Sequence, residues 1–209
     1  MINTFIFDLD LTLLNSLSAC AQGANLLAKR FDLREVTEAE VLKAISLPTV
    51  DFWQSFWGPW DPHWLDCFVQ EILPSLTEEV TVYPGAEEFL IAARDRGFLL
   101  AAATNRSNPW FDLATMGLAK YFDTVVGVTD APRPKPEPDI LLAVLKHLGK
   151  NCDEAVYFGD SITDMEAARA AGVKGLGVSQ GGATAEELAK AGAWMTRPNI
   201  PACRDLFNF

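Results

Sequence analysis

The sequence predicts an α/β fold in which helices flank a parallel sheet and one helical segment is inserted. Two observations support this prediction: short apolar runs recur along the chain, and helical patterns lie between most of them. Short apolar runs suit strands that are buried on both faces of a parallel sheet, and strands that alternate with helices indicate an α/β fold. The predicted strands cover residues 3–7, 98–103, 124–128, 155–158 and 173–178.

Start and stop signals predict the helices between these strands. Residues 85–97 (GAEEFLIAARDRG) have apolar residues at helical spacing, acids in the first turn and a closing glycine. Residues 138–149 begin with a proline and end with a glycine, and residues 163–172 also end at a glycine. The last stretch, residues 193–209, has only a weak pattern.

Residues 15–81 interrupt the alternation of strands and helices. Four of the six tryptophans lie in this segment, and no stretch of it is a convincing strand. We therefore predict an α/β core made of residues 1–14 and 82–209, with residues 15–81 as an inserted helical domain. Its helices are predicted over residues 17–31, 38–45 and 62–73.

Composition narrows the functional classes. The chain has 209 residues and a net charge of −11, which argues against nucleic acid and anionic membrane surfaces as main partners. The four cysteines form no CxxC pair, so neither a zinc site nor a thiol redox motif is indicated. The N-terminus does not have the pattern of a signal peptide, and the apolar stretch 97–103 is too short to span a bilayer. We expect a cytoplasmic protein.

Polar side chains follow the carboxyl ends of four predicted strands, where open parallel sheets bind their ligands. Carboxylates hold Mg²⁺, and lysine, hydroxyl and backbone N–H groups hold phosphate oxygens. The sequence therefore collects the ligands for a hard cation and a phosphate group at one edge of the sheet. The residues are Asp8 and Asp10 after the first strand, Thr104 and Asn105 after the second, Lys135 after the third, and Asp160 and Asp164 after the fourth.

Asp8 and Asp10 are difficult to explain as structural residues. They follow the apolar run Phe5-Ile6-Phe7, and residues i and i+2 of a strand point to the same side. Burying a carboxylate is costly unless it is paired or bound to a metal. This pair therefore favours a catalytic role.

Four motifs carry these residues, namely DLDLT (8–12), ATN (103–105), RPKPEP (133–138) and GDSITD (159–164). In this order they resemble the four motifs of the haloacid dehalogenase superfamily. The inserted segment resembles, by its position, the cap of the phosphoglycolate-phosphatase-like branch. The resemblance implies a Rossmann-like parallel sheet core with an inserted all-helical cap. It also implies a Mg²⁺-dependent phosphatase that hydrolyses a small phosphate monoester through an aspartyl-phosphate.

The resemblance implies roles for the acids. Asp8 would be the nucleophile that attacks phosphorus, and Asp10 would act as general acid and then as general base. We expect the neighbouring carboxylates to raise the pKa of Asp10, which suits that task. The Asp8 side chain, the Asp10 backbone carbonyl and Asp160 would hold Mg²⁺.

The other motif residues receive supporting roles from the same resemblance. Thr104 and Asn105 would bind phosphoryl oxygens, and Lys135 would hold phosphate and keep Asp8 ionised. Asp164 would support the water shell of the metal or Lys135, although the spacing of SITD also fits a simple helix capping box. Thr104 and Asn105 could equally form a turn that ends a strand, and Lys135 could be a solvated residue of a stiff loop.

Leu11 departs from the family pattern, which usually has glycine after the second aspartate. A bulky side chain at this position would crowd the cap hinge or the site. We expect an effect on rate and substrate rather than on the class of enzyme.

The aromatic segment 51–64 (DFWQSFWGPWDPHW) is open to two interpretations. The spacing of its aromatic residues fits one helix face in the core of the cap. The alternative is an aromatic wall for a bulky or planar leaving group. A substrate with a second anionic group would instead need one of the few basic residues of the cap, of which Lys43 is the weak choice.

Two other functions are considered beside the phosphatase. A sugar-phosphate mutase (phosphoglucomutase-like) would use the same Asp8 and Asp10. A non-catalytic protein of this superfamily would bind a partner or metabolite through its aromatic cap, but the complete set of motif acids and Lys135 argues against it. The expected partner is a small phosphorylated metabolite, with the protein a monomer or homodimer.

Overall fold

The computed structural model describes residues 1–76 and 79–207, with Phe111 described by its backbone only. Within these residues, one sheet has six strands in the order β5-β4-β1-β6-β7-β8, and every neighbouring pair is parallel. Two short strands, β2 and β3, pair antiparallel outside this sheet. The strands are β1 (Thr4–Phe7), β2 (Leu14–Asn15), β3 (Thr81–Val82), β4 (Leu99–Ala103), β5 (Thr124–Val126), β6 (Ala155–Gly159), β7 (Lys174–Val178) and β8 (Met195–Arg197).

Helices cover both faces of the six-stranded sheet. In β1, Phe5 and Phe7 join one apolar core, which includes Phe89 of α6, while Ile6 joins a second core with Val144 of α8. This alternation across one strand is what the pleat requires, and it confirms the predicted α/β fold. The helices of this part are α6 (Ala86–Asp95), α7 (Pro109–Thr115), α8 (Asp139–Leu148), α9 (Ile162–Ala171) and α10 (Ala185–Ala191).

The inserted segment is helical and has an apolar core of its own, built around Trp53, Phe56 and Trp64. One π-helical turn, Phe68–Ile72, lies between its last two helices. We call these elements the cap helices. They are α1 (Leu17–Arg30), α2 (Glu38–Ala44), α3 (Thr49–Trp57), α4 (Pro62–Cys67) and α5 (Leu73–Leu76).

Besides the short strands β2 and β3, three elements of the α/β part have no counterpart in the sequence prediction. The strand β8 is half-buried at the sheet edge, and α7 and α10 have seven residues each. Such short or half-exposed elements carry little periodic signal. The predicted strands and helices otherwise match the observed ones to within about two residues, except that the predicted helix 62–73 is divided by the π-helical turn.

The strands β2 and β3 lie where the chain leaves the α/β part and returns to it. No strand was predicted inside residues 15–81, and these two-residue strands are too short to show a pattern of their own. The domain limits 15–81 and 82–209 stay a prediction, and they include residues 77–78 and 208–209, which lie outside the described part. Among the described helices, none combines the length and apolar character needed to cross a bilayer.

Candidate active site

Asp8 lies at the carboxyl end of β1, in the middle of the sheet. Its backbone N–H donates to the carbonyl oxygen of Phe158 in β6 at 2.8 Å, which continues the strand ladder by one residue. Because β1 pairs with both β4 and β6, Asp8 is next to the loops that follow those strands. Its carboxylate is buried.

Lys135 joins two of the predicted acids. Its Nζ donates to Asp8 Oδ1 at 2.7 Å, to Asp164 Oδ1 at 2.7 Å and to the Tyr157 hydroxyl at 2.9 Å. All four side chains are buried. The three N–H groups of the ammonium are therefore all used, and the structure does not show Lys135 as a solvated loop residue.

Burial and the charge of the bound partner shift the pKa values of Asp8 and Lys135 in opposite directions. Burial raises the pKa of Asp8 to about 7, although Lys135 acts in the opposite direction and Asp164 and Asp10 add to the rise. Burial lowers the pKa of Lys135, but the two carboxylates outweigh it and the net shift is upward. Lys135 therefore favours the ionised form of Asp8, as predicted, but burial is the larger effect.

Asp160 is buried on the other side of the cluster. Thr12 donates its hydroxyl to Asp160 Oδ1 at 3.2 Å, and the Gly182 backbone N–H donates to Oδ2 at 2.9 Å. Burial, and then the charges of Asp164 and Asp8, raise the pKa of Asp160 well above its usual range. The carboxylate has hydrogen-bond donors but no cationic partner among the described residues.

The donor set fits a divalent cation. Carboxylate oxygens of Asp8, Asp160 and Asp164 lie within 4.8 Å of one another, and the only cationic side chain bound to these carboxylates in the described chain is Lys135. With all three acids ionised, two negative charges remain uncompensated, and Mg²⁺ would balance them through oxygen ligands. The Asp10 carboxylate is bound by Arg106, and the Asp10 backbone carbonyl as a metal ligand stays a prediction.

Asp164 combines the two roles that the sequence left open. Its Oδ2 accepts from the Ser161 backbone N–H at 3.1 Å, and its own backbone N–H donates to Ser161 Oγ at 3.2 Å, which together form the capping box of α9. The Ser161 hydroxyl also donates to Asp164 Oδ2 at 2.6 Å. Its Oδ1 accepts from Lys135 and from the Tyr157 hydroxyl. The start of α9 therefore fixes the position of Lys135.

Asp10 is held by an arginine that was not predicted. Arg106 donates from Nε to Asp10 Oδ2 at 2.7 Å and from Nη2 to Oδ1 at 2.6 Å. The Ser16 hydroxyl donates to Oδ1 at 2.5 Å, and Arg106 Nη1 lies 2.9 Å from Asp112 Oδ2. This two-point contact is the geometry in which guanidinium and carboxylate pair most strongly.

The pairing with Arg106 shifts the pKa of Asp10 in the direction opposite to the one expected. Burial raises the pKa of Asp10, but the charge and hydrogen bonds of Arg106, with the Ser16 hydroxyl, outweigh burial and hold the pKa below its usual value. The prediction that neighbouring carboxylates raise this pKa is therefore wrong for the ligand-free chain. The reason is that the Arg106 guanidinium binds both carboxylate oxygens of Asp10, at 2.6 and 2.7 Å.

Thr104 and Asn105 both line the cavity described below, but they differ in what they offer a ligand. Thr104 Oγ1 accepts from the Arg106 backbone N–H at 3.3 Å, and its proton has no acceptor among the described residues. The Asn105 amide donates to the carbonyl oxygens of Ser46 at 2.9 Å and Lys135 at 3.2 Å, and accepts from the Lys135 N–H at 2.9 Å. Asn105 therefore ties the Lys135 loop to the cap.

Sequence reasoning missed Arg106, Tyr157 and Ser16. Arg106 directly follows the ATN motif, so its position next to the phosphate-binding candidates was a usable signal. Tyr157 is the one hydroxyl in the apolar run AVYF, and a buried tyrosine hydroxyl needs a partner. Ser16 gave no comparable signal.

Leu11 adopts a left-handed backbone conformation, with φ of 58°, which explains why glycine suits this position. Its side chain is buried and is not among those lining the cavity. Leu11 N–H donates to Leu14 O of β2 at 2.7 Å. The side chain is thus at the cap hinge, and it does not crowd the cavity.

A cavity of about 280 Å³ lies between the α/β part and the cap helices. Asp8, Asp10, Thr104, Asn105 and Lys135 line it on the side of the sheet. The aromatic segment contributes both to the cap core and to the cavity, so the two interpretations of this segment are compatible. On the other side is the cap-side wall, which consists of Phe52, Trp53, Leu65, Phe68, Val69, Leu73 and Leu76.

The comparison with known families agrees with this fold and site. Residues 5–178 match the family model of the haloacid dehalogenase-like hydrolases. The chain belongs to this family, and the resemblance seen in its four motifs is confirmed.

The curated relatives include phosphoglycolate phosphatases. A phosphoglycolate phosphatase of Pseudomonas fluorescens is 32% identical over 149 residues, which are 68% of this chain and 54% of the relative. The chain spans about half the length of the curated relatives it matches.

Solved structures share the fold at low sequence identity. A predicted phosphoglycolate phosphatase from Haemophilus somnus superposes with a TM-score of 0.86 at 23% identity, over 99% of this chain and 98% of that chain. The β-phosphoglucomutase of Clostridium difficile gives a TM-score of 0.84 at 19% identity, over 100% and 96%. These structural similarities establish the fold and leave the reaction open.

Proposed function

We propose that the chain is a phosphatase that hydrolyses a small phosphate monoester with Mg²⁺, through an aspartyl-phosphate on Asp8. The observation that supports it most is the state of the Asp8 carboxylate at the cavity. Its Oδ1 is bound by Lys135, while Oδ2 accepts no hydrogen bond from any residue that the structure describes. The carboxylate therefore has capacity both for a metal ion and for attack on phosphorus.

In this reaction, Asp8 forms the bond to phosphorus and Asp10 transfers the protons. A bond forms between Asp8 and phosphorus as the ester P–O bond breaks, and the leaving oxygen takes a proton from Asp10. Water then gives a proton to Asp10 and attacks phosphorus, which releases Asp8 and inorganic phosphate. Mg²⁺, held by the Asp8 carboxylate, Asp160 and the Asp10 carbonyl, would supply positive charge to the phosphoryl oxygens.

The reaction requires the protonation state of Asp10 to change. Because Arg106 lowers the pKa of Asp10 and favours its ionised form, this contact suits the step in which Asp10 accepts a proton from water. Protonation of the leaving oxygen requires Asp10 to carry a proton first. We infer that an incoming phosphate loosens the Arg106 contact by competing for the guanidinium.

The phosphate contacts are assigned to the hydroxyl of Thr104 and to the Arg106 guanidinium. Lys135 would act on the phosphate through its charge, because its three N–H groups already bind Asp8, Asp164 and Tyr157. Asn105 would contribute through its backbone N–H, since both ends of its side-chain amide already bind backbone groups. Asp164 acts by positioning Lys135.

The mutase alternative uses the same acids, and a β-phosphoglucomutase shares this fold. The cap favours the phosphatase, because a sugar ring carries several hydroxyl groups that need hydrogen-bond partners, and most of the described cap residues at the cavity are apolar, with Ser46 and Thr49 as the hydroxyl groups. The names of the relatives suggest phosphoglycolate as one substrate to test.

The test is phosphate release from a panel of phosphate monoesters, with Mg²⁺ and again with EDTA. We expect release that requires Mg²⁺ and that falls at least about 10³-fold in Asp8→Asn. Asp153→Asn is the matched control and should retain full activity, because Asp153 is exposed and precedes β6, at the end of the strand opposite to Asp160. Full activity of Asp8→Asn would reject the nucleophile, and isomerisation of a sugar phosphate without net phosphate release would favour the mutase.

A further inference from the structure

The cap-side wall of the cavity is apolar. All seven of its residues are aliphatic or aromatic, and every cap residue that lines the cavity within the described chain is uncharged. The polar side-chain groups of the cap residues at the cavity are the Ser46 and Thr49 hydroxyls, the Cys20 thiol and the indole N–H of Trp53, which is buried and has no hydrogen-bond partner among the described residues. Burial raises the pKa of the thiol to about 12. The cap therefore offers a ligand apolar surface and no charge.

The basic side chains at the cavity are already paired with carboxylates. Among the described residues that line it, only Arg106 and Lys135 are basic. Arg106 is paired with Asp10 and Asp112, and Lys135 is paired with Asp8 and Asp164. A phosphate group would draw on both of these cations, so none is left for a second anion on the leaving group.

The basic residues of the cap do not supply a cation for a second anion on the leaving group. Arg30 lies 3.8 Å from Glu71, and Arg34 lies 2.8 Å from Glu40, both on exposed surface. Lys43, the weak choice for binding a second anion, is exposed and does not line the cavity. The structure therefore does not support the role considered for Lys43.

From these observations we propose that the phosphate monoester carries an uncharged, apolar leaving group, such as a single aromatic ring, which packs against the cap-side wall. The proposal rests on the phosphatase function and specifies its substrate class. The cavity of about 280 Å³ is at the small end of the range for ligand pockets, which fits one ring and a phosphate. A leaving group that bears a carboxylate, such as glycolate, is disfavoured, because that charge would be buried without a partner.

The first experiment compares esters whose leaving groups are all primary alcohols, so that chemical reactivity is similar. The substrates are benzyl phosphate, 4-carboxybenzyl phosphate and 2-phosphoglycolate, each with Mg²⁺. We expect kcat/KM for benzyl phosphate to exceed both others at least about tenfold, since an unpaired buried charge costs more than the free energy equivalent to a factor of ten. Equal or greater kcat/KM for either carboxylate would overturn the proposal.

A binding experiment separates this proposal from the phosphatase function. In 2-phenylethylphosphonate and 3-phosphonopropionate, CH₂ replaces the ester oxygen, so both bind without being hydrolysed. We expect the phenyl compound to bind the Mg²⁺-loaded protein at least about tenfold more tightly. This order without any ester hydrolysis would reject the phosphatase and keep the apolar pocket, whereas the reverse order would reject the pocket whatever the activity.

A charge placed on the wall provides a second test. Val69 lines the cavity and is 49% exposed, whereas Val50 is 40% exposed and does not line it. Val69→Lys should tighten binding of 3-phosphonopropionate about two- to fivefold, the range for a solvent-exposed ion pair, and weaken binding of the phenyl compound. Val50→Lys should change neither. Unchanged affinities in Val69→Lys, or equal changes in both variants, would show that the leaving group does not lie against this wall.

Discussion

Leu11 combines an unfavourable backbone conformation with a well-buried side chain. Its φ of 58° lies in the left-handed region, which costs an L-residue roughly 1–2 kcal/mol. The side chain is only 2% exposed, and removing a buried leucine side chain typically costs about 2–5 kcal/mol. Burial therefore outweighs the backbone cost, which is how leucine is tolerated where the family usually has glycine.

This balance predicts an inverted order of stability in two variants. Leu11→Ala should lose about 2–5 kcal/mol of unfolding free energy, because it loses the side chain and keeps the left-handed cost. Leu11→Gly should lose about 0.5–1 kcal/mol less, since glycine adopts this conformation without strain. Urea unfolding measures both variants.

The control is Leu13, which is fully buried and is not among the residues with positive φ. At Leu13 the usual order should hold, with the glycine variant less stable than the alanine variant. The same order at Leu11 as at Leu13 would show that backbone strain at Leu11 is negligible.

Asp8 and Asp10 are two residues apart, yet their pKa values move in opposite directions. Burial raises the pKa of Asp8, whereas Arg106 outweighs burial and lowers that of Asp10. Opposed shifts in a neighbouring pair are typical of sites where one acid attacks and the other transfers protons. The proposed reaction needs Asp8 ionised and Asp10 protonated when the ester bond breaks, which is opposite to these two shifts.

The junction of β6 and α9 depends on close approach at Gly159. A Cβ atom on Gly159 would lie 2.5 Å from both Cβ and Cγ of Asp164. Asp164 cannot move aside easily, because it caps α9 at Ser161 and binds Lys135. The strand end and the helix start therefore form one unit that sets the position of Lys135.

Gly159→Ala should destabilise the protein by about 1–3 kcal/mol, the usual range for overpacking, as measured by urea unfolding. Gly177 is the matched control, since it is the register partner of Gly159 in β7. A Cβ atom on Gly177 would lie 3.0 Å from Leu188, a contact that a small shift relieves, so Gly177→Ala should cost less than half as much. Equal losses would mean that Asp164 is not rigidly held.

The buried acids also couple the stability of the protein to pH and metal. The pKa of Asp8 is 3.8 as its ordinary value and about 7 in the folded chain, so the folded state binds this proton more tightly than the unfolded state does. The contribution to stability is then complete below about pH 4 and is lost as the pH rises through about 7. The pKa of Asp160 is shifted in the same direction.

In EDTA, the unfolding free energy of the wild type relative to Asp8→Asn should therefore fall between about pH 4 and pH 7. The fall should be on the order of a few kcal/mol, measured by urea unfolding at each pH. With Mg²⁺ present, most of this fall with pH should disappear, because a divalent cation stabilises the ionised carboxylates. A difference that does not depend on pH, or that Mg²⁺ leaves unchanged, would argue against a metal site at Asp8.

The sequence alone was enough to predict the α/β fold and the residues that gather at one sheet edge. Asp8, Thr104 and Asp160 follow buried runs of a parallel sheet, and the carboxyl ends of such strands must meet at the same edge. Periodicity and local signals are properties of nearby residues, so they can be read without coordinates. The short elements β8, α7 and α10 carry too little periodic pattern to be predicted in this way.

The pairing of Arg106 with Asp10, and hence the direction of the Asp10 pKa, depends on a contact across 96 positions of the chain. The apolar wall likewise depends on how the cap helices meet the sheet, since the same aromatic pattern serves a cap core or a ligand wall. Packing energies fall off within a few ångströms, and charge interactions weaken with distance and are screened over about 10 Å. Such properties are therefore set by neighbours in space, which the order of residues along the chain does not reveal.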